Sequence, residues 1–295
     1  MSSVIQDLSN KNLISPPKWL PGSIVYEAMM GSQAYGTAME NSDYDIHAIA
    51  IPPRGIIFPH LNGYIAGFGT KPESFGTYTQ HHVSMHPRLY DVEAKSIVKY
   101  FTLLMNASPS AVDLLWVPEH AILHITKIGN MIHDARKMFL SKRVWHTFRG
   151  YARAQSKKMT TKTPASKRYQ MTLERGYDYK HGSHVVRLML EAEQLLTTGE
   201  LNLLRDREIV KSVKRGDWSL EYIKHWFANK ELDLERIWLD CTALPVVPDE
   251  AAIKELLVNC LEEHYGDLSS AVHLPGRAEG TVQALVNLLK ERGYV

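Results

Sequence analysis

The stretch from Ile24 to Ile51 limits this chain most narrowly, because two apolar runs there flank a glycine-broken bend and the second run opens on a pair of acids. Ile24-Val25-Tyr26-Glu27-Ala28-Met29-Met30 reads as a short buried strand. Gly31-Ser32 breaks it, Gln33 to Met39 has room for about two helical turns, and Asn41-Ser42 is a turn signal. Asp43 to Ile51 reads as a second strand. Its alternation puts Tyr44, Ile46, Ala48 and Ala50 on one side and Asp43, Asp45, His47, Ile49 and Ile51 on the other. Pro52-Pro53 ends it.

Residues at i and i+2 of a strand point the same way, so Asp43 and Asp45 converge with backbones roughly 6–7 Å apart. Two unpaired carboxylates there repel, and one tends to keep its proton. A divalent cation removes the repulsion, and Mg²⁺ (or Mn²⁺) suits a few carboxylates plus phosphate oxygens and water. Gly31-Ser32 lies between a strand and a helical segment, where unsatisfied backbone N–H groups suit a phosphate. Glycine allows close approach, and the serine hydroxyl can donate to a phosphate oxygen. A phosphate cradle followed about a dozen residues later by Asp-x-Asp is the pattern that phosphoryl or nucleotidyl transfer requires. Gly31 and Gly36 do not make a dinucleotide fingerprint, because the Gly-x-Gly-x-x-Gly run is missing.

At 295 residues the chain is long enough for two domains, and 44% apolar with 22% charged residues is ordinary for a folded soluble protein. Met1 to Lys18 lacks the basic start and apolar run of a signal peptide. No apolar stretch approaches the roughly 20 residues that cross a bilayer. Cys241 and Cys260 read as thiols rather than a disulfide, as expected in the cytoplasm. A net charge of +2 is too small to imply nucleic-acid binding by itself.

Residues 54–88 show no sustained period and read as a long loop, a kind usually functional or disordered. A third strand includes Arg88 to Val92, with a helix from near Ala94 carrying Ile97, Phe101 and Leu104 on one face. Ser108-Pro109 begins a helix through Trp116, and Ile122, Ile125, Ile128, Ile132 and Phe139 mark a longer one. From Ser141 onward the patterns are helical: 183–198, stopped by Gly199, then 249–264 and 280–292. The layout is a small α/β domain followed by an all-helical one, with the boundary near residue 140.

Gly-Ser-x(10)-Asp-x-Asp resembles the signature of the DNA polymerase β nucleotidyltransferase superfamily. The resemblance implies an α+β fold, with a small mixed-sheet nucleotidyltransferase domain over 1–140 and an all-helical domain over 141–295. It also implies transfer of a nucleotide from an NTP to a hydroxyl by two metal ions held on three carboxylates. The third acid is expected on a following strand. Asp91 matches best, Glu93 shares its strand parity, and Asp91 as a helix cap is the structural alternative.

Asn106-Ala-Ser-Pro-Ser-Ala-Val-Asp-Leu-Leu-Trp116, Phe148-Arg-Gly-Tyr-Ala-Arg-Ala-Gln155 and Lys180-His-Gly-Ser-His-Val-Val-Arg187 narrow the resemblance. They are similar to the RNA-repair-associated (RlaP/YcgL) group of predicted nucleotidyltransferases, over about Tyr26 to Glu200. Asp113 stands where a glutamate is expected, and the 54–88 loop is long for the group. The acceptor stays open between an RNA end and another hydroxyl. A toxin-like enzyme that nucleotidylates protein or tRNA, and an inactive RNA-binding module, are the alternatives.

Lys180, His184, Arg187 and Glu191 fall at i, i+4, i+7 and i+11, a polar stripe that can hold the triphosphate or an acceptor phosphate. Residues 142–168 carry Lys142, Arg143, Arg149, Arg153, Lys157, Lys158, Lys162, Lys167 and Arg168, with Trp145, Phe148 and Tyr151 interleaved. That composition fits RNA backbone contact and base stacking, or else an ordinary core-and-surface helix. His81, His82 and His86 lack cysteine or acidic companions at fixed spacing and read as surface histidines rather than a zinc site.

Overall fold

The computed structural model describes residues 3–40, 42–70, 73–160, 172, 176–266, 285–286 and 288–290. The two apolar runs are strands β1 (Ile24–Met30) and β2 (Tyr44–Ala50), paired antiparallel with Met30 opposite Asp45. Around them stand β3 (Thr77–Met85), β4 (Arg88–Ser96) and β5 (Ile122–Ile125), in the order β3-β4-β2-β1-β5. The β2–β4 pair is parallel and the other pairings antiparallel, so the sheet is mixed.

The period-2 reading of β2 holds. Ile46, Ala48 and Ala50 pack with Val92 and Ala94 of β4, whereas Ile49 and Ile51 join the larger core on the opposite face. The first face is covered by α1 (Val4–Asn10), which buries Ile5 and Leu8 completely. Glu27, on β1, is buried beneath that helix. Its carboxylate accepts from the Ser3 hydroxyl, from the Val4 N–H at 2.7 Å and from the Ile5 N–H at 3.3 Å. Burial raises the Glu27 pKa, and these three donors work against that rise. Because Leu8 is fully buried, Leu8→Ala is expected to cost roughly 2–5 kcal/mol in a denaturant titration.

Local boundaries differ from the periodic reading in four places. The one-turn helix α2 (Gly31–Ala34) begins at the glycine itself rather than extending from Gln33 to Met39. The 54–88 stretch is not one loop: it holds the one-turn helix α3 (Arg54–Ile57) and the whole of β3. β4 runs on to Ser96, whose hydroxyl accepts from the Lys99 N–H at 3.2 Å, so the next helix, α4 (Ile97–Met105), starts there and not near Ala94. Ile122 and Ile125 belong to β5, and Thr126 caps a separate helix, α6 (Lys127–Asp134). Between them, α5 (Pro109–Leu115) follows Ser108 as expected. Asn41 of the turn signal and most of the 280–292 pattern lie outside the described residues.

The rest is helical: α7 (Arg143–Met159), α8 (Tyr179–Thr198), α9 (Arg207–Arg215), α10 (Leu220–Asp240) and α11 (Glu250–Tyr265). α8 ends at Gly199, which takes the left-handed conformation at φ 67°. Tyr26 and Ala28 of the sheet share one continuous core with Trp145, Phe148, Val185 and Met189 of these helices. Cys241 and Cys260 are buried free thiols. No described helix is long and apolar enough to cross a membrane.

Candidate active site

Gly31 has φ 61°, and a Cβ built on it would lie 1.7 Å from Asp45 Oδ2. The Asp45 carboxylate therefore rests directly against the glycine of the bend, and with the carboxylate in that place both the dihedral and the contact favour a residue without a side chain. Gly31, Ser32, Asp43, Asp45 and Asp91 line one cavity of about 620 Å³, closed on its other side by Lys180, His184, Arg187 and Lys214. The cavity thus brings together Asp43, Asp45 and Asp91 with Gly31, Ser32, Lys180, His184 and Arg187, whereas Glu93 and Glu191 are not in its lining.

Parallel pairing sets Asp45 beside Asp91 and His47 beside Glu93. Asp91 lines the cavity, whereas Glu93 is engaged elsewhere, in contact with Lys95 Nζ and 3.5 Å from His47 Nδ1. Burial pulls Lys95 down to about 8 and His47 down to about 4. Asp91 accepts from the His82 N–H at 2.7 Å, and His81 Nδ1 lies 3.4 Å from its other oxygen. A bulge in β3 between Gln80 and Val83 makes that contact possible, with His82 at φ 56°. The two histidines are 64% and 75% exposed at the side chain, in keeping with a surface position.

Burial raises the Asp45 pKa, Asp91 and Asp43 raise it further, and Lys180 and Lys214 oppose them. Such an all-oxygen, charge-excess donor set suits a hard divalent cation. Among the described residues no three His, Cys, Asp or Glu side chains already converge on one point, so the fit lies in donor chemistry and register.

On the cationic side, the stripe expected to hold a phosphate already has protein partners at Arg187. Arg187 is only 13% exposed at its side chain; its Nη1 donates to Asp113 Oδ2 at 2.8 Å and to Glu191 at 2.7 and 2.9 Å. Its guanidinium lies 4.0 Å from the Tyr35 ring centroid, and the Tyr35 hydroxyl donates to Asp113 at 2.6 Å. Arg187 is thus a strut tying α8 to the turn after α2, its charge already matched. Burial holds His184 well below the usual histidine range, with Arg187 and Lys180 adding to the effect.

The cation that the sequence did not reveal is Lys214, near the end of α9. Its Nζ donates to Thr37 Oγ1 at 2.8 Å and approaches the Thr37 carbonyl at 3.4 Å. Burial, then repulsion from Lys180 and Arg187, brings its pKa down to about 8, while Asp45 acts to raise it. No local motif marks it, since its partner is 177 residues away.

Two buried carboxyls share one guanidinium in the Asp113–Arg187–Glu191 group, and desolvation lifts Glu191 from 4.5 to about 8. An acid whose folded pKa lies above its unfolded value stabilises fully below the unfolded pKa and loses that contribution as pH rises through the folded one. The melting temperature is therefore expected to fall between about pH 4.5 and about pH 8. Glu191→Gln should flatten that slope in thermal scans across the window, and an unaltered slope would show that another group titrates.

α7 does not offer the aromatic surface that its composition suggested. Trp145 and Phe148 are wholly buried; Arg149 lies 4.7 Å from the Trp145 ring centroid, and Arg153 Nε pairs with Glu231 at 2.6 Å. Only Tyr151 of the three aromatics is exposed. Lys162, Lys167 and Arg168 lie outside the described residues.

Residues 6–232 match the family model described as RlaP, the RNA repair pathway DNA polymerase beta family. Comparison with curated proteins gives no match. Among solved structures, a nucleotidyltransferase-like protein from Exiguobacterium sibiricum 255-15 aligns over 98% of this chain and 90% of its own. Its identity is 10% and its TM-score 0.29.

Proposed function

The chain belongs to the RNA repair pathway DNA polymerase beta family, a nucleotidyltransferase-like family, and from that membership we propose that it moves a nucleoside monophosphate from an NTP to a hydroxyl, releasing pyrophosphate. The observation that carries the reading is the Asp45 carboxylate seated against Gly31 with Asp91 beside it across the β2–β4 ladder.

In this reading the Gly31-Ser32 backbone and the Ser32 hydroxyl hold phosphate oxygens, and Lys180 and Lys214 offset the charge of the triphosphate. Asp43, Asp45 and Asp91 would hold Mg²⁺ or Mn²⁺, which when bound neutralises these acids and polarises the phosphate. Asp91 takes the proton of the acceptor hydroxyl as the new O–P bond forms and the bond to pyrophosphate breaks. Arg187 positions the Gly31-Ser32 turn through Tyr35 rather than gripping phosphate itself. The family description favours an RNA end as acceptor.

The test is incubation of the full chain with each labelled NTP, Mg²⁺ or Mn²⁺, and either total RNA or lysate protein. Label on RNA is the expected result. Label on protein would move the acceptor to the toxin-like class, and no label with any combination would overturn the activity.

A further inference from the structure

The helical wall of the cavity carries an aromatic side chain that the core does not use. Tyr151 is 49% exposed and lines the cavity, whereas Trp145 and Phe148 on the same helix are fully buried. Gln155, one turn further along α7, also lines the cavity, and i,i+4 spacing puts the two on one face. Gln155 is held in place: its Oε1 lies 2.7 Å from His181 Nδ1 on α8. With the ring nitrogen donating, the carboxamide oxygen is occupied and its NH₂ group is left to donate to a ligand. Pro109 and Leu188 supply apolar lining to the same cavity, and about 620 Å³ is ample for a nucleotide-sized molecule.

A flat aromatic surface beside an oriented amide donor suits a ligand that is planar, uncharged and rimmed with acceptors. We propose that Tyr151 and Gln155 form a nucleobase subsite, the base stacking on the Tyr151 ring while an edge carbonyl or ring nitrogen accepts from the Gln155 amide. The subsite rests on the nucleotidyltransferase reading above. It serves either the base of the NTP or the terminal base of an RNA acceptor, whose stacking and edge chemistry are the same.

The experiment is calorimetric titration of the full chain with ATP, GTP, CTP and UTP in Mg²⁺, and separately with short oligoadenylate and oligouridylate. Wild type, Tyr151→Ala, Tyr151→Phe and Gln155→Ala are compared. If the subsite holds the donor base, Tyr151→Ala weakens NTP binding roughly 5- to 150-fold, the range of base–aromatic stacking, and Tyr151→Phe restores most of it. Gln155→Ala then narrows the spread of affinities among the four NTPs. The same losses confined to the oligonucleotides assign the subsite to the acceptor. Wild-type affinity for every ligand in Tyr151→Ala overturns the subsite and leaves the transferase reading standing. Binding of neither NTP nor RNA by the wild type overturns both.

Discussion

Asp45→Asn is expected to reduce nucleotide transfer on the order of a thousandfold, because a metal-held charge contributes several kcal/mol and each 1.36 kcal/mol is about tenfold in rate. The fold should survive. The Asp45 carboxylate is half-buried, its pKa raised by burial and by Asp91 and Asp43, so its negative charge is not a source of stability. A neutral side chain of the same shape removes that repulsion, and the melting temperature should stay level or rise. The measurement is labelled-NTP transfer beside a thermal scan of the same preparation. Turnover close to wild type would remove Asp45 from the chemistry, and a collapse in melting temperature would recast it as a structural acid.

Gly31→Ala is expected to act almost as strongly, through a different link. The φ of 61° costs an L-residue roughly 1–2 kcal/mol. The new Cβ would also overlap Asp45 Oδ2, and that side chain can swing away. Stability should therefore fall only by about the dihedral cost, while transfer falls as far as in Asp45→Asn, since the acid has left its place. A double-mutant cycle separates the two effects. In an Asp45→Ala background the carboxyl overlap is gone and only a 3.2 Å contact to the Cβ of residue 45 remains, so Gly31→Ala should show little beyond the dihedral cost and change activity no further. Full additivity of the two losses in transfer would mean that they act independently.

What the sequence showed, and what it hid, follows the range of the interactions. Both faces of β2 were legible because Ile46, Ala48 and Ala50 meet one apolar layer and Ile49 and Ile51 another, so the period of two survives in composition. The Asp43–Asp45 pair stood out for the opposite reason, as acids at the head of an apolar strand. β3 was invisible because it is an edge strand. Of its nine residues only Val83 is buried, and the bulge at His81–His82 breaks the alternation. Ile122 and Ile125 fit a helix repeat as well as a strand, and the decision came from pairing with β1, which is non-local. Lys214 and the Arg187–Asp113 bridge were hidden likewise. A lysine on a basic helix and an arginine in a polar stripe look the same whether they face water or a residue 74 or 177 positions away.

The shared core sets how a ligand gets in. The Tyr26 hydroxyl donates to the Leu114 carbonyl at 3.1 Å, and its ring packs in the same apolar mass as Trp145 and Met189. Prying sheet from helices to admit a substrate would strip those side chains of their cover, a penalty on the order of 25 cal/mol for each Å² laid bare. A ligand is therefore expected to fill the existing cavity with that core left closed, the sheet and the helices keeping their places.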